Sequence, residues 1–300
     1  MREAMKLVGD IGGTHARFGL LARGSLRIEH ENTLACADFD GLERTIRHYL
    51  SLHGNPLLDE AALDVATSVL GDRVHLTNGP WEFSIEQTRR DLGLQRLQVI
   101  NDFTALALAV PVLAAHEIRS IGGGVRVAES PIALIGPGTG LGVSGLLPTG
   151  KGWIALQGEG GHAAFSPGNR REIAVLSWLL DRYPYVSRER VVSGMGLENL
   201  YHAICALDGV QACEWKAPQI TTAAVSASNL QCREALEMFC AILGSAAADL
   251  VLALGARGGC YIGGGIVPRL GEYFARSPFR ARFEDKGRFS AYMTAVPTYV

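Results

Sequence analysis

The chain has 300 residues, 48% hydrophobic and 19% charged, which fits about two globular domains able to bury sizeable cores. Its net charge of −2 and the lack of a long basic run exclude the electrostatic footprint of a nucleic-acid binder. The apolar run Ala105 to Ala115 is broken by Pro111 and is too short to cross a bilayer, which takes about 20 residues, so no membrane partner is expected.

The first strand is expected at Lys6 to Gly9, close enough to Met1 to leave no room for a signal peptide. Strands follow at Ala16 to Leu21 and Leu26 to Asn32. Asp40-Gly41-Leu42-Glu43 reads as a capping box, with Asp40 as the cap of a helix that Gly54 ends. A strand at Ala62 to Ser68 leads to a second capping box at Ser84 to Gln87, whose helix stops at Gly93. Then come a strand at Leu97 to Ile100, a helix from Asp102 to Ala109 and a break at Pro111. The second half opens with strands at Ile132 to Ile135, Gly142 to Leu147 and Trp153 to Gln157. Helices at Arg170 to Tyr183, Leu197 to Leu207 and Gln231 to Leu254 come next, with a late strand at Cys260 to Ile262. Both halves open on strands and a glycine-threonine turn, which suggests two related α/β lobes: a small one over 1–111 and a large one over 112–300. Six cysteines show no CxxC pair, which suits reduced thiols of a cytoplasmic protein and disfavours a zinc site.

The chemistry sits in the turns. Asp10-Ile11-Gly12-Gly13-Thr14 and Gly136-Pro137-Gly138-Thr139-Gly140 each come after an apolar strand. Such turns aim successive N–H groups into one anion-binding nest, with glycine for close approach or positive φ and Thr14 and Thr139 as extra donors. Asp10 would repel phosphate directly and suits a water-mediated hold on Mg²⁺. A tight hairpin explains either turn alone equally well; the pair, matched in two lobes, favours a nucleotide. Gly140 to Gly145 matches GxGxxG, but the residues after it alternate like a strand, so the required helix is missing.

Asp102 stands where a strand turns into a helix. The helix N-terminus favours an anion there, so an ionised carboxylate that accepts an alcohol's proton is one reading and an ordinary N-cap is the other. In Gly158-Glu159-Gly160-Gly161-His162 an acid and an imidazole converge around glycines on a small polar ligand, or simply face solvent. Glu189 reads locally as a helix-end charge. Gly263-Gly264-Gly265 closes a short strand, and either admits a flat ring or satisfies packing.

Together these segments, with Arg190 to Tyr201 and Phe283 to Phe289, resemble the bacterial glucokinases of the hexokinase, actin and Hsp70 superfamily, in the branch typical of proteobacteria. The resemblance covers nearly the whole chain. It implies two ribonuclease H-like lobes of the actin-like ATPase fold with a central cleft. It further implies ATP-dependent phosphorylation of glucose at the 6-hydroxyl, with Mg²⁺. Asp102 would be the general base, and Asn101, Glu159, His162 and Glu189 would hold the other sugar hydroxyls. The turns Gly12-Gly13-Thr14 and Gly138-Thr139-Gly140 would hold phosphates, and Gly263 to Gly265 would face the adenosine. A cytoplasmic homodimer is implied as well.

Three departures from the family pattern stand out: His15 where Asn is more usual, no proline in Thr67-Ser68-Val69, and an end at Val300, before the last helix by which relatives return to the small lobe. The zinc-binding cysteine cluster of the related repressor-and-kinase group is absent. The rival functions are a kinase for another hexose or an N-acetylhexosamine, and a non-catalytic sugar-sensing regulator.

Overall fold

The computed structural model describes residues 4–76, 79 and 81–300. Residues 1–3, the start of the segment read for a signal peptide, lie outside them. The chain divides into two compact units, Met1–Ala105 and Leu106–Val300.

In the first unit, β1 (Met5–Ile11), β2 (His15–Ala22) and β3 (Glu29–Ala35) form an antiparallel meander. Helix α1 (Leu42–Leu52) leads to β4 (Leu58–Val65), which lies parallel to β1. A separate hairpin of β5 (Arg73–His75) and β6 (Glu82–Ser84) precedes α2 (Ile85–Asp91). The unit's last strand, β7 (Arg96–Asn101), pairs parallel to β4 and runs directly into α3 (Asp102–Ala109). The sheet order is β3-β2-β1-β4-β7. Leu7, Ile11, Phe18, Ile46, Tyr49 and Leu63 fill its core, because alternate strand residues face α1.

The second unit repeats this scheme. β8 (Ser120–Ile121) is followed by the meander β9 (Ile132–Pro137), β10 (Leu141–Pro148) and β11 (Trp153–Gly158). Four helices come next: α4 (Arg170–Leu180), α5 (Gly194–Asp208), α6 (Ala217–Val225) and α7 (Leu230–Leu254). β12 (Cys260–Ile262) then pairs parallel to β9. Short helices α8 (Val267–Leu270), α9 (Glu272–Arg276), α10 (Phe279–Glu284) and α11 (Ser290–Thr294) lead to β13 (Thr298–Tyr299). The order β11-β10-β9-β12-β13-β8 is that of the first sheet with one strand added at the edge. α7 is apolar and long enough to cross a membrane by length and composition, and 72% of its most apolar window is buried.

Several local expectations need correction. Asp40 caps nothing: its carboxylate pairs with Arg44, and Gly41 precedes the helix instead. Ser84 does cap α2, accepting from Gln87 N at 3.0 Å, but the Gln87 side chain reaches forward to Asp91 rather than back. Asp72 takes over the reciprocal role, accepting from Glu86 N and from the Ser84 hydroxyl. The third and fourth strands are displaced by several residues from their expected positions. Pairing with β1 and β2, rather than local apolar content, sets those limits. The β5–β6 hairpin, α6 and α8 to α11 are additional elements, too short or too weakly patterned to stand out in the sequence.

Candidate functional site

In the first unit the candidate site side chains sit at the carboxyl ends of β1, β4 and β7. Gly12 N donates to His15 O at 2.9 Å, closing the β1–β2 turn, and Thr14 O accepts from Cys36 N at 2.9 Å. Thr14 is exposed at the tip. None of Gly12, Gly13, Gly138 and Gly140 adopts positive φ, so the backbone-freedom argument for these turns fails and close approach is what remains. Asp10 lies opposite Arg17 on one neighbour and Asp64 on the other, and pairs with Arg17 at 3.4 Å.

Asp64 is a candidate site residue that the sequence reading misses. A carboxylate interrupting the apolar run Ala61-Ala62-Leu63 is the signal that points to it. Burial pushes its carboxyl up to about 7, with the charges of Asp10 and Asp102 and a hydrogen bond to Asp10 adding to the rise. A hollow of about 360 Å³ on this unit is lined by Asp10, Arg17, Glu31 and Asp64 among apolar neighbours such as Phe18.

The cap of α3 is Asn101, not Asp102. Asn101 Oδ1 accepts from Phe103 N at 2.9 Å and Thr104 N at 3.3 Å, while its amide donates to Thr67 O and to Asp102 Oδ1. Asp102 Oδ1 shares the Phe103 N–H with Asn101, accepting from it at 2.8 Å, while the Thr104 N–H goes to Asn101 alone. Asp102 is solvent-exposed as a residue, yet the protein packed about its carboxyl withholds enough water to raise its pKa. The Phe103 N–H and the Asn101 amide pull the other way, and the negative charge of Asp10 adds to the rise. The net shift is upward, whereas the helix N-terminus alone predicts a fall.

In the second unit the turn between β9 and β10 is held from three sides. Gly138 N donates to Gly140 O at 2.8 Å, and Gly194 N, at the start of α5, donates to Gly138 O at 2.9 Å. Leu141 N donates to Glu189 Oε2 at 2.9 Å. A Cβ on Gly140 would lie 2.5 Å from that same oxygen, so a side chain there would displace the Glu189 carboxylate. Ser193 caps α5 through Gly196 N, which brings a helix N-terminus, the positive end of its dipole, against the turn. Thr139 is exposed.

Glu189 N also donates to Gly161 O at 2.9 Å, and Arg188 N to Ala163 O at 2.8 Å, fastening the Gly158–His162 loop beside the turn. Glu159 and His162 are exposed on that loop, and the His162 carbonyl accepts from the Tyr185 hydroxyl. Gly263 N donates to Ile135 O and Ile266 N to Pro137 O, so the triglycine segment is laced to the end of β9; Gly264 needs its φ of +78°. Gly138 to Gly140, Glu189, the Glu159 loop and Gly263 to Gly265 are therefore one cluster within this unit. Asp10, Gly12 to Thr14, Asn101 and Asp102 share one end of the other sheet.

The residues present suit Mg²⁺ held mainly by phosphates and water. No group of three or more acidic, His or Cys side chains forms a self-sufficient cage among the described residues. The carboxylates of Asp10, Asp64 and Asp102 repel one another, a charge excess that a divalent cation would relieve.

Comparison with known proteins identifies the family. The family model for glucokinase matches residues 7–300. The glucokinase of Chromobacterium violaceum is 51% identical over 98% of this chain and 84% of its own length. A crystal structure of glucokinase from an Antarctic psychrotroph has a TM-score of 0.90 at 39% identity, covering 98% of this chain and 93% of that one. A ROK family glucokinase from Streptomyces griseus, solved with glucose and AMPPNP, shares the fold at 18% identity and a TM-score of 0.58, over 94% of this chain and 89% of that one. The two repeated α/β units are thus ribonuclease H-like lobes of the actin-like ATPase kind. By family model and by identity over nearly its whole length, the chain belongs to the glucokinase family.

Proposed function

We propose that the chain transfers the γ-phosphoryl group of ATP to the 6-hydroxyl of glucose, with Asp102 as the general base. The observation that carries the role of Asp102 is its place at the carboxyl end of β7, where Asn101 takes the Thr104 N–H of α3 and burial raises the Asp102 carboxyl. The sugar oxygen attacks the γ-phosphorus, the bond from that phosphorus to the ADP oxygen breaks, and the hydroxyl proton passes to Asp102 late in a loose transition state. Asn101, Glu159, His162 and Glu189 hold the remaining hydroxyls. The turns Gly12 to Thr14 and Gly138 to Gly140 hold phosphates through the N–H groups left over once Gly12 N and Gly138 N have bonded within their turns, and Gly263 to Gly265 face the adenosine. Mg²⁺, when bound through water to Asp10, neutralises phosphate charge. A small domain over 1–111, a large one over 112–300, and a cytoplasmic homodimer complete the proposal, supported by family membership and by the two-unit fold.

Coupled measurement of ADP release with glucose tests it. Asp102→Asn is expected to lower kcat about 10²–10⁴-fold with KM for glucose changed only a few-fold. In wild type the acid limb of kcat/KM is expected above the ordinary carboxylate value, because the base must be ionised and its pKa is raised. Comparable turnover by the two proteins removes Asp102 from the mechanism. Better kcat/KM with mannose or an N-acetylhexosamine than with glucose replaces the substrate.

A further inference from the structure

A second cavity, of about 590 Å³, lies in the second unit between residues 124–127 and 292–296. Arg126 and Arg257 both line it, both are exposed, and neither has a side-chain hydrogen bond or ion pair among the described residues. By contrast, the neighbouring Arg280 is engaged: it pairs with Glu284 and donates to the carbonyls of Val296 and Thr294, which belong to the cavity wall. The walls are fixed by main-chain bonds, Val125 N to Ala295 O at 3.1 Å and Val127 N to Arg257 O at 3.0 Å. The cavity is therefore built before anything enters it.

We infer that this cavity binds a phosphomonoester of sugar size through Arg126 and Arg257. Two arginines without an ion-pair partner line one cavity that no carboxylate lines, and a dianion bound there would gain charge-assisted hydrogen bonds from them. The forked guanidinium donors match phosphate oxygens two at a time, and the roughly −2 charge of a phosphomonoester matches the pair. The volume falls within the roughly 300–1,000 Å³ of small-molecule pockets and exceeds what free phosphate fills. Val125, Val127 and Val296 line it as apolar residues suited to a sugar's C–H face, and Tyr292 and Thr294 line it as well. Arg257 precedes β12, whose far end continues into Gly263 to Gly265, so the site sits at the opposite end of that strand from the proposed adenosine contact.

Isothermal titration of the full chain in saturating glucose, with glucose 1-phosphate in one arm and inorganic phosphate in the other, tests this. The expected result is saturable, salt-sensitive binding of the sugar phosphate in the millimolar range or tighter. It should weaken at least about tenfold in Arg126→Ala or Arg257→Ala, vanish in the double variant, and leave kcat for glucose unchanged. Arg276→Ala, an exposed arginine elsewhere on the unit, should bind as wild type does. Tighter binding of the sugar phosphate than of phosphate supports the ester. Equal affinity rejects the ester and assigns the site to free phosphate. An unchanged isotherm in the double variant, equal loss in Arg276→Ala, or no saturable binding up to about 10 mM overturns the site.

Discussion

Asp64 shows how a single side chain ties stability to the chemistry around it. Its carboxyl titrates near 3.8 in an unconstrained chain and at about 7 in the folded protein. Between those values the native state holds a proton that the unfolded state has lost. Stability from this group is therefore full below about pH 4 and declines as pH rises to about 7. The ceiling on that loss is about 4 kcal/mol, reduced by the partial exposure of the group. Asp64→Asn is expected to stabilise the protein at pH 8 and to leave it little changed at pH 4, as read from urea unfolding at both values. An identical pH slope in the two proteins would show that Asp64 titrates normally.

At the scale of elements, α4 and α10 are joined by one buried carboxylate. Glu172 is 1% exposed and accepts from Gly168 N, from the Asn169 amide and from Arg282. Asn169 in turn caps α4 through Glu172 N at 2.9 Å. Replacing one partner leaves the other charge buried and unpaired, which typically costs about 3–5 kcal/mol. Glu172→Gln keeps the shape and removes the charge, so a loss of that size in unfolding free energy, read from a denaturant titration, is expected. A loss under about 1 kcal/mol would mean that water and the existing bond to Ser245 suffice for Arg282.

Across the whole molecule, the two hydrophobic cores share no residue: one is built from Leu7 to Val99 and the other from Ile121 to Val296. Separate cores predict separate local stabilities. Leu63→Ala, at a site 1% exposed, should remove about 2–5 kcal/mol of hydrogen-exchange protection from β1, β2 and β4. Amides of α7 should keep their protection. Equal loss in both would show that the units unfold as one.

The glycine turns after β1 and β9, the strand-to-helix step at Asp102, the limits of α3 and the Gly54 and Gly93 stops were legible in the sequence. Each is marked by a few adjacent residues, with positive φ at Gly54 and Gly93 behind the two helix stops. The sequence also carried the family, through several motifs in fixed order. It did not show that Asn101 rather than Asp102 caps α3, since either side chain can reach those N–H groups. Nor did it reveal Glu189 beneath Leu141, or Asp64 beside Asp10, because strand pairing and loop docking bring those groups together from distant parts of the chain. The upward shift of Asp102 obeys the same logic: local dipoles lower a carboxyl's pKa, and only the tertiary structure supplies the burial and the neighbouring charge that raise it.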